Sequence, residues 1–475
     1  MTHLHHLSAL DLAAAIARRD VSVPEVVDHF LDRADHDTVG AFTTVAHAHA
    51  RAAAVAAQRR LDRTGPAALP RLFGVPVGIK DLEATRGIRT TLGSSLFADW
   101  VPDHDDEIVG LLREQGLVDI GKTTTPEFGA ACYTEPDVAP PSRSPFAPAL
   151  SAAGSSGGSA AAVGARLVPL AQGSDTAGSL RSPASACGIV GLKPSRGRVT
   201  MGPTAGDGIG LTTKGPLART VRDTAALLDT MAARPGSGTV RPAPGAGFLE
   251  ACGEGRRGLV VALAHGSVSG APEAPEVAAA LDGAATALTG LGHHVERLDQ
   301  PLDDELTSAF TTVFSALAGT KPVPGDAEAA LRPVVRHLRA RAAVTDSGML
   351  AAALNTLQVR ARVWAARYAH ADLVLSSTIT RLPARVGELR NDADPERELR
   401  AMTRFTGNTI LANATGFPAI SLPLGWTGEG VPIGITLTAG WGQEELLLDA
   451  AAQLEEALPW SHRLPPADGR ARVRS

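Results

Sequence analysis

Apolar positions across residues 8–34 recur at helical spacing and break before Pro24, predicting two helices packed outside the core. Residues 41–63 predict a further helix. From residue 72 to 228 the pattern changes: short apolar runs (FGVPVGI, LVDIG, LVPLA, CGIVGL) alternate with helical stretches, as in an α/β fold built on a mixed sheet. Residues 234–247 are rich in Pro and Gly and read as a surface loop. LVVALA and HHVERL then flank an Ala-rich helix in the manner of a βαβ unit, and residues 308–370 read as mostly helical, suited to covering the mouth of a site. The chain returns to the core through residues 373–375 and 413–424, a strand at 434–438 and a helix at 444–457. The expectation is one domain with a mixed, twisted sheet covered by helices on both faces. Its parts are N-terminal helices (8–63), a core (65–235), a variable region (245–400) and a C-terminal return (401–460).

Composition narrows the function classes. The 475 residues are 44% hydrophobic, enough for a sizeable core, and the formal charge of −5 is spread over both signs, leaving no basic footprint for nucleic acid or an anionic membrane. No apolar run reaches the roughly 20 residues of a membrane span, and the first residues lack the regions of a signal peptide. Three cysteines, Cys132, Cys187 and Cys252, have no metal-binding spacing and suggest reduced thiols. A soluble, cytoplasmic protein is expected, with a homodimer left open. His3, His5 and His6 have no acidic or cysteine partner nearby in sequence and read as solvated.

The densest chemical signal lies between Ser151 and Pro194, where Gly/Ser clusters bracket a short helix and the second half reads GSDTAGS. Such clusters bring backbone N–H groups and hydroxyls close to a substrate, and a following helix adds a positive dipole end. Gly154, Ser156 and Gly158 satisfy G-x-S-x-G, but the preceding residues 145–153 are no strand, so a nucleophile elbow fails. A phosphate loop fails too, since no lysine follows the glycines.

A second segment, residues 74–95, carries Lys80 in an apolar strand-like run that ends at Asp81. A solvated lysine, with a pKa of about 10.4, is almost wholly protonated at pH 7. Burial can pull that value down by as much as about 3 to 5, which would make Lys80 a general base for a serine. The other reading is a lysine whose stem lies over the strand edge and whose ammonium pairs with Asp81 or another carboxylate.

GIKD, GSSGGSAAAV and GSDTAGSLRSPASACGIVGLKPSRGRV occur in the order found in the amidase signature family, and the chain resembles that family over most of its length except about 242–400. GKTTTPEFG, GPLARTVRDTAALLD, NATGFPAISLPLGW and PIGITLTAGWGQEELLLDAAAQLE also fall where its members have similar text. The resemblance implies the amidase signature fold and a catalytic triad of Lys80, Ser155 and Ser179, with a cis peptide bond before Ser155. The separation of 24 positions from Ser155 to Ser179 matches the family spacing. It implies that neutral Lys80 takes a proton through Ser155 while Ser179 attacks a carbonyl, with the N–H groups of Thr176, Ala177, Gly178 and Ser179 as oxyanion hole. No metal or cofactor is needed.

Ser156 is then a supporting neighbour. Asp175 and Arg181 flank the nucleophile turn in a structural role, and Ala177 replaces a more usual glycine. The stretch after Pro-Glu-Phe offers Phe128 and Tyr133 as substrate contacts. Ser376-Ser377-Thr378 departs from the family's usual Thr-Pro-Thr and puts the local pocket wall in doubt. The framing segments look closer to the subgroup containing 6-aminohexanoate cyclic dimer hydrolase than to glutamine-dependent amidotransferase subunits. The reading is hydrolysis of a small or medium amide, aryl or cyclic, or of an ester. The alternatives are a glutaminase subunit that works with a partner protein, and a non-catalytic binding protein on this fold.

Overall fold

The computed structural model describes residues 3–202, 206–234, 242–243, 247–321 and 323–466. Most of the anticipated 234–247 loop lies outside the described residues. The first two helices form as expected. Ser8 caps Ala9–Arg18 by accepting from the Asp11 N–H, and Ser22 with Glu25 forms a capping box on Val23–Asp35, whose first turn holds Pro24.

Eleven strands make one sheet among the described residues: β1 (Phe42–Val45), β2 (Pro76–Lys80), β3 (Val118–Thr123), β4 (Leu170–Asp175), β5 (Val190–Lys193), β6 (Thr213–Ala218), β7 (Val260–Ala264), β8 (His294–Arg297), β9 (Leu373–Ser377), β10 (Ala419–Trp426) and β11 (Pro432–Ala439). Their order is β1-β3-β2-β4-β6-β5-β10-β11-β9-β7-β8. The sheet is mixed: β2 runs parallel to β3 and β4, β7 parallel to β8 and β9, and the centre from β4 through β6, β5, β10 and β11 to β9 is antiparallel.

Two expectations are corrected. Residues 41–63 are not all helix: Phe42–Val45, with β-branched Thr43, Thr44 and Val45, adds an edge strand before helix His47–Thr64. In LVPLA the strand begins only at Leu170, since Pro169 has no N–H for the ladder. The expected βαβ unit is present as β7, helix Pro275–Gly290 and β8.

The core holds Val77, Ile79, Ile120, Leu170, Leu192, Leu217, Ile420, Ile435 and Leu437, all buried. Helices Gly157–Gly164 and Arg181–Cys187 pack onto the sheet, while Asp304–Gly319, Pro333–Ala343 and Ser347–Arg367 pack on one another. Because β2 and β4 are neighbouring parallel strands, their carboxyl ends emerge on the same edge, where α/β sheets place their sites. Among the described residues no helix is long and apolar enough to cross a membrane.

Candidate active site

Lys80 is the last residue of β2 and is wholly buried. Its Nζ donates to Ser155 Oγ at 2.8 Å and Ser174 Oγ at 3.0 Å. Burial lowers its pKa to about 7, against the opposing pull of the Glu83 and Asp175 carboxylates. It does not pair with its neighbour: Asp81 accepts from the Thr91 N–H and hydroxyl, and burial lifts the Asp81 carboxyl to about 6. A polar frame fixes the lysine backbone. Lys80 N–H donates to Gln172 Oε1 at 3.1 Å, Gln172 Nε2 donates to Glu83 at 3.1 Å, and Glu83 is ion-paired to Lys214 at 2.6 Å.

The two adjacent serines make different contacts. Ser155 follows a cis peptide bond and turns its hydroxyl to Lys80. Ser156 Oγ instead donates to the Ser174 carbonyl at 3.1 Å and accepts from the Ser174 N–H at 3.3 Å, fastening β4 to the Gly/Ser loop. A side chain on Gly154 would place Cβ 2.8 Å from the Tyr133 backbone, so the loop packs only with glycine there. Helix Gly157–Gly164 starts immediately beyond.

Ser179 lies half-buried in the turn from β4 to helix Arg181–Cys187. Asp175 organises that turn. It accepts from the Gly178 N–H at 2.7 Å and the Leu180 N–H at 3.1 Å, and pairs with Arg181 at 3.0 Å. Asn413 Nδ2 donates to the same carboxylate at 3.0 Å. The Arg181 guanidinium, with Lys193 and Asn413, outweighs desolvation and holds the Asp175 carboxyl well below the usual carboxylate range. Gly178 has φ +110°, and a Cβ there would lie 2.4 Å from Thr409 Oγ1, whose hydroxyl donates to the Ala177 carbonyl at 2.7 Å. The Gly178 N–H is thus already engaged, leaving Thr176, Ala177 and Ser179 of the expected oxyanion donors free of Asp175. The Ser156 N–H donates to the Ser179 carbonyl at 3.2 Å, tying the two serine segments together.

Two cavities meet here. Ser179 and Gly154 line a cavity of about 70 Å³ walled by Ala131, Cys132, Phe310, Leu399, Met402 and Ile410, with no charged side chain among its lining residues. Ser155, Ser174 and Thr176 line a second cavity of about 630 Å³ that also holds Glu83, Asp106, Asp207, Lys214 and Lys321. Gly129, Ala130 and Phe314 border both. Phe128 is on the wall of the larger cavity, with φ +50°. Tyr133 corrects the sequence expectation: it is buried behind the wall, its hydroxyl donates to Glu398, and Cys132 takes the place on the Ser179 cavity. Ser376–Thr378 is also absent from both linings; Ser377 donates to Glu273 at 2.6 Å, and Thr378 bonds Ser421 and Thr436.

Sequence reasoning missed Ser174, the second hydroxyl on Lys80. A signal was present, since Gln172 and Ser174 are two apart on β4 and so share the face toward β2's lysine. It also missed Leu399 and Met402, which come from helix Pro395–Thr406 across the end of the variable region and carry no motif.

Comparison with known proteins places the chain in a family. Residues 25–448 match the family described as Amidase. The chain is similar to a 6-aminohexanoate-cyclic-dimer hydrolase of Paenarthrobacter ureafaciens, 37% identical over 82% of this chain and 84% of the relative. It is also similar to a glutamyl-tRNA(Gln) amidotransferase component of Thermus thermophilus, 34% identical over 96% and 98%. A solved structure of 6-aminohexanoate cyclic dimer hydrolase superposes with a TM-score of 0.86 at 31% identity, covering 98% of this chain and 99% of that one. A buried lysine on paired serine hydroxyls, set at the carboxyl edge of this sheet, is therefore found in a chain that belongs to the amidase signature family of hydrolases.

Proposed function

We propose that the protein hydrolyses a carboxylic amide of a small or medium organic substrate through an acyl-enzyme on Ser179. The observation that carries this reading is the 2.8 Å contact between the Lys80 amine and Ser155 Oγ, with a lysine whose pKa burial brings to about 7. Half of such lysines are neutral at pH 7 and able to accept a proton. The Ser179 hydroxyl proton passes by way of Ser155 to Lys80 Nζ as Ser179 Oγ bonds the carbonyl carbon. The resulting oxyanion takes N–H donation from the Thr176, Ala177 and Ser179 backbone. Collapse breaks the C–N bond while the proton returns through Ser155 to the leaving nitrogen. Water, deprotonated along the same route, then releases the acid from the serine ester. An ester reaches the same intermediate.

The uncharged lining of the Ser179 cavity favours an apolar acyl group over glutamine, whose α-carboxylate and ammonium would need charged partners there. Linear, aryl and cyclic amides all remain within this class. The test is exposure of the pure protein to a fluorophosphonate, with the adduct located by peptide mapping. A single adduct on Ser179, lost in Ser179→Ala, is expected. Labelling at another serine of a folded protein would overturn the assignment.

A further inference from the structure

The two cavities differ in size and polarity, and each reaches a different member of the proposed proton relay. Ser179, which bonds the carbonyl carbon, lines the apolar cavity of about 70 Å³. Ser155, which hands the proton to the departing nitrogen, lines the polar cavity of about 630 Å³. The scissile bond must span the border at Gly129, Ala130 and Phe314, with its carbon side toward Ser179 and its nitrogen side toward Ser155. Resting on the hydrolytic reading above, we infer that the small cavity seats the acyl group and the large one the amine, so the substrates are amides of a short, apolar acid with a bulky, polar amine.

Magnitudes set the limits. The Ser179 cavity, at about 70 Å³, is the tighter of the two, so lengthening the acyl group meets its walls first. Short acyl groups such as propionyl or butyryl therefore suit it better than an octanoyl chain. The larger cavity is ninefold roomier on the same measure. Its wall supplies polar groups that have no cationic or anionic partner within ion-pair distance among the described residues. Asp106 accepts from the Ala84 N–H at 2.7 Å, Asp207 accepts from the Gly210 N–H at 2.9 Å, and Lys321 is exposed. Glu83 and Lys214 neutralise each other. A hydrocarbon amine would strip water from these groups and return nothing, whereas a polar one replaces the lost hydrogen bonds.

Two constitutional isomers separate the assignments: N-butyryl-1,5-diaminopentane, with an apolar acyl and a polar amine, and N-propyl-6-aminohexanamide, in which the amide is reversed. The expected kcat/KM for the first is at least tenfold above the second. In a series from acetyl to octanoyl on the same diamine, the rate should peak at propionyl or butyryl and fall at least tenfold by octanoyl. Thr311→Phe, which fills the small cavity from helix Asp304–Gly319, should move that optimum to acetyl. Equal cleavage of both isomers, preference for the reversed one, or an unchanged optimum in a folded Thr311→Phe protein overturns the inference. Fluorophosphonate labelling of Ser179 run on the same preparations keeps the two claims apart. Labelling with the wrong isomer preference sinks only the cavity assignment, and absence of Ser179 labelling sinks the hydrolytic reading itself.

Discussion

Lys80→Met isolates the electrostatic cost of a buried base. The folded chain lowers the lysine from about 10.5 to about 7, chiefly by desolvation. At about 1.36 kcal/mol per pH unit, burying the charged form costs on the order of 5 kcal/mol. Because the folded-state value is depressed, the unfolded chain binds the extra proton between about pH 7 and 10.5. The penalty is therefore complete below pH 7 and fades as the pH rises through that window. Methionine of similar length removes the penalty but also the hydrogen bonds to Ser155 and Ser174, at about 1 kcal/mol each. Lys80→Met should then be about 3 kcal/mol more stable than wild type at pH 6 and about 2 kcal/mol less stable near pH 10.5. Urea unfolding of both proteins at the two pH values measures this. A stability difference that does not change with pH would refute the buried-lysine argument, whatever the variant does to activity. The same value governs turnover: wild-type kcat/KM should be half-maximal near pH 7 and fall about tenfold per pH unit below it. A profile flat from pH 5.5 to 9 would remove Lys80 as the base.

Ser155→Ala should lose most activity, whereas Ser156→Ala should remove about 1 kcal/mol of stability and leave turnover within about tenfold, because Ser156 bonds the Ser174 backbone and not Lys80. Kinetics on the two purified variants decide this, and equal losses would count against the relay. Asp175→Asn should destabilise the fold by about 3 to 5 kcal/mol, since Arg181 would stay buried without its counter-charge; a thermal midpoint near wild type would contradict it. Gly178→Ala should be comparably damaging, its Cβ colliding with Thr409 Oγ1 at 2.4 Å at a φ of +110°. Thr409→Ala in the same chain should recover part of the lost stability in thermal melts by vacating that space.

Sequence pattern alone determined a good deal here. The order of GIKD, GSSGGS and GSDTAGS marked the segments that meet in the site, because glycine and serine are required where backbones approach closely, as at Gly154 against Tyr133. Alternating apolar runs and helices marked a mixed sheet, and Pro24 marked a helix start. Strand β6 was harder to read, since Gly215 and Pro216 weaken any strand pattern and only its place between β4 and β5 makes it one.

Tertiary structure alone decided the rest. A lysine beside an aspartate in sequence could pair with it or be buried away from it, and the choice follows from strand register: β2 sits between β3 and β4, which carries Lys80 to Ser174 and Ser155 and leaves Asp81 to Thr91. Likewise Tyr133 and Cys132 are adjacent residues pointing to different surroundings, one to Glu398 and one to the Ser179 cavity. The cavity walls come from residues as far along the chain as Ile410, on helices whose spacing says only that they have an apolar face. What that face covers depends on how the helices pack, and packing is a property of the whole chain.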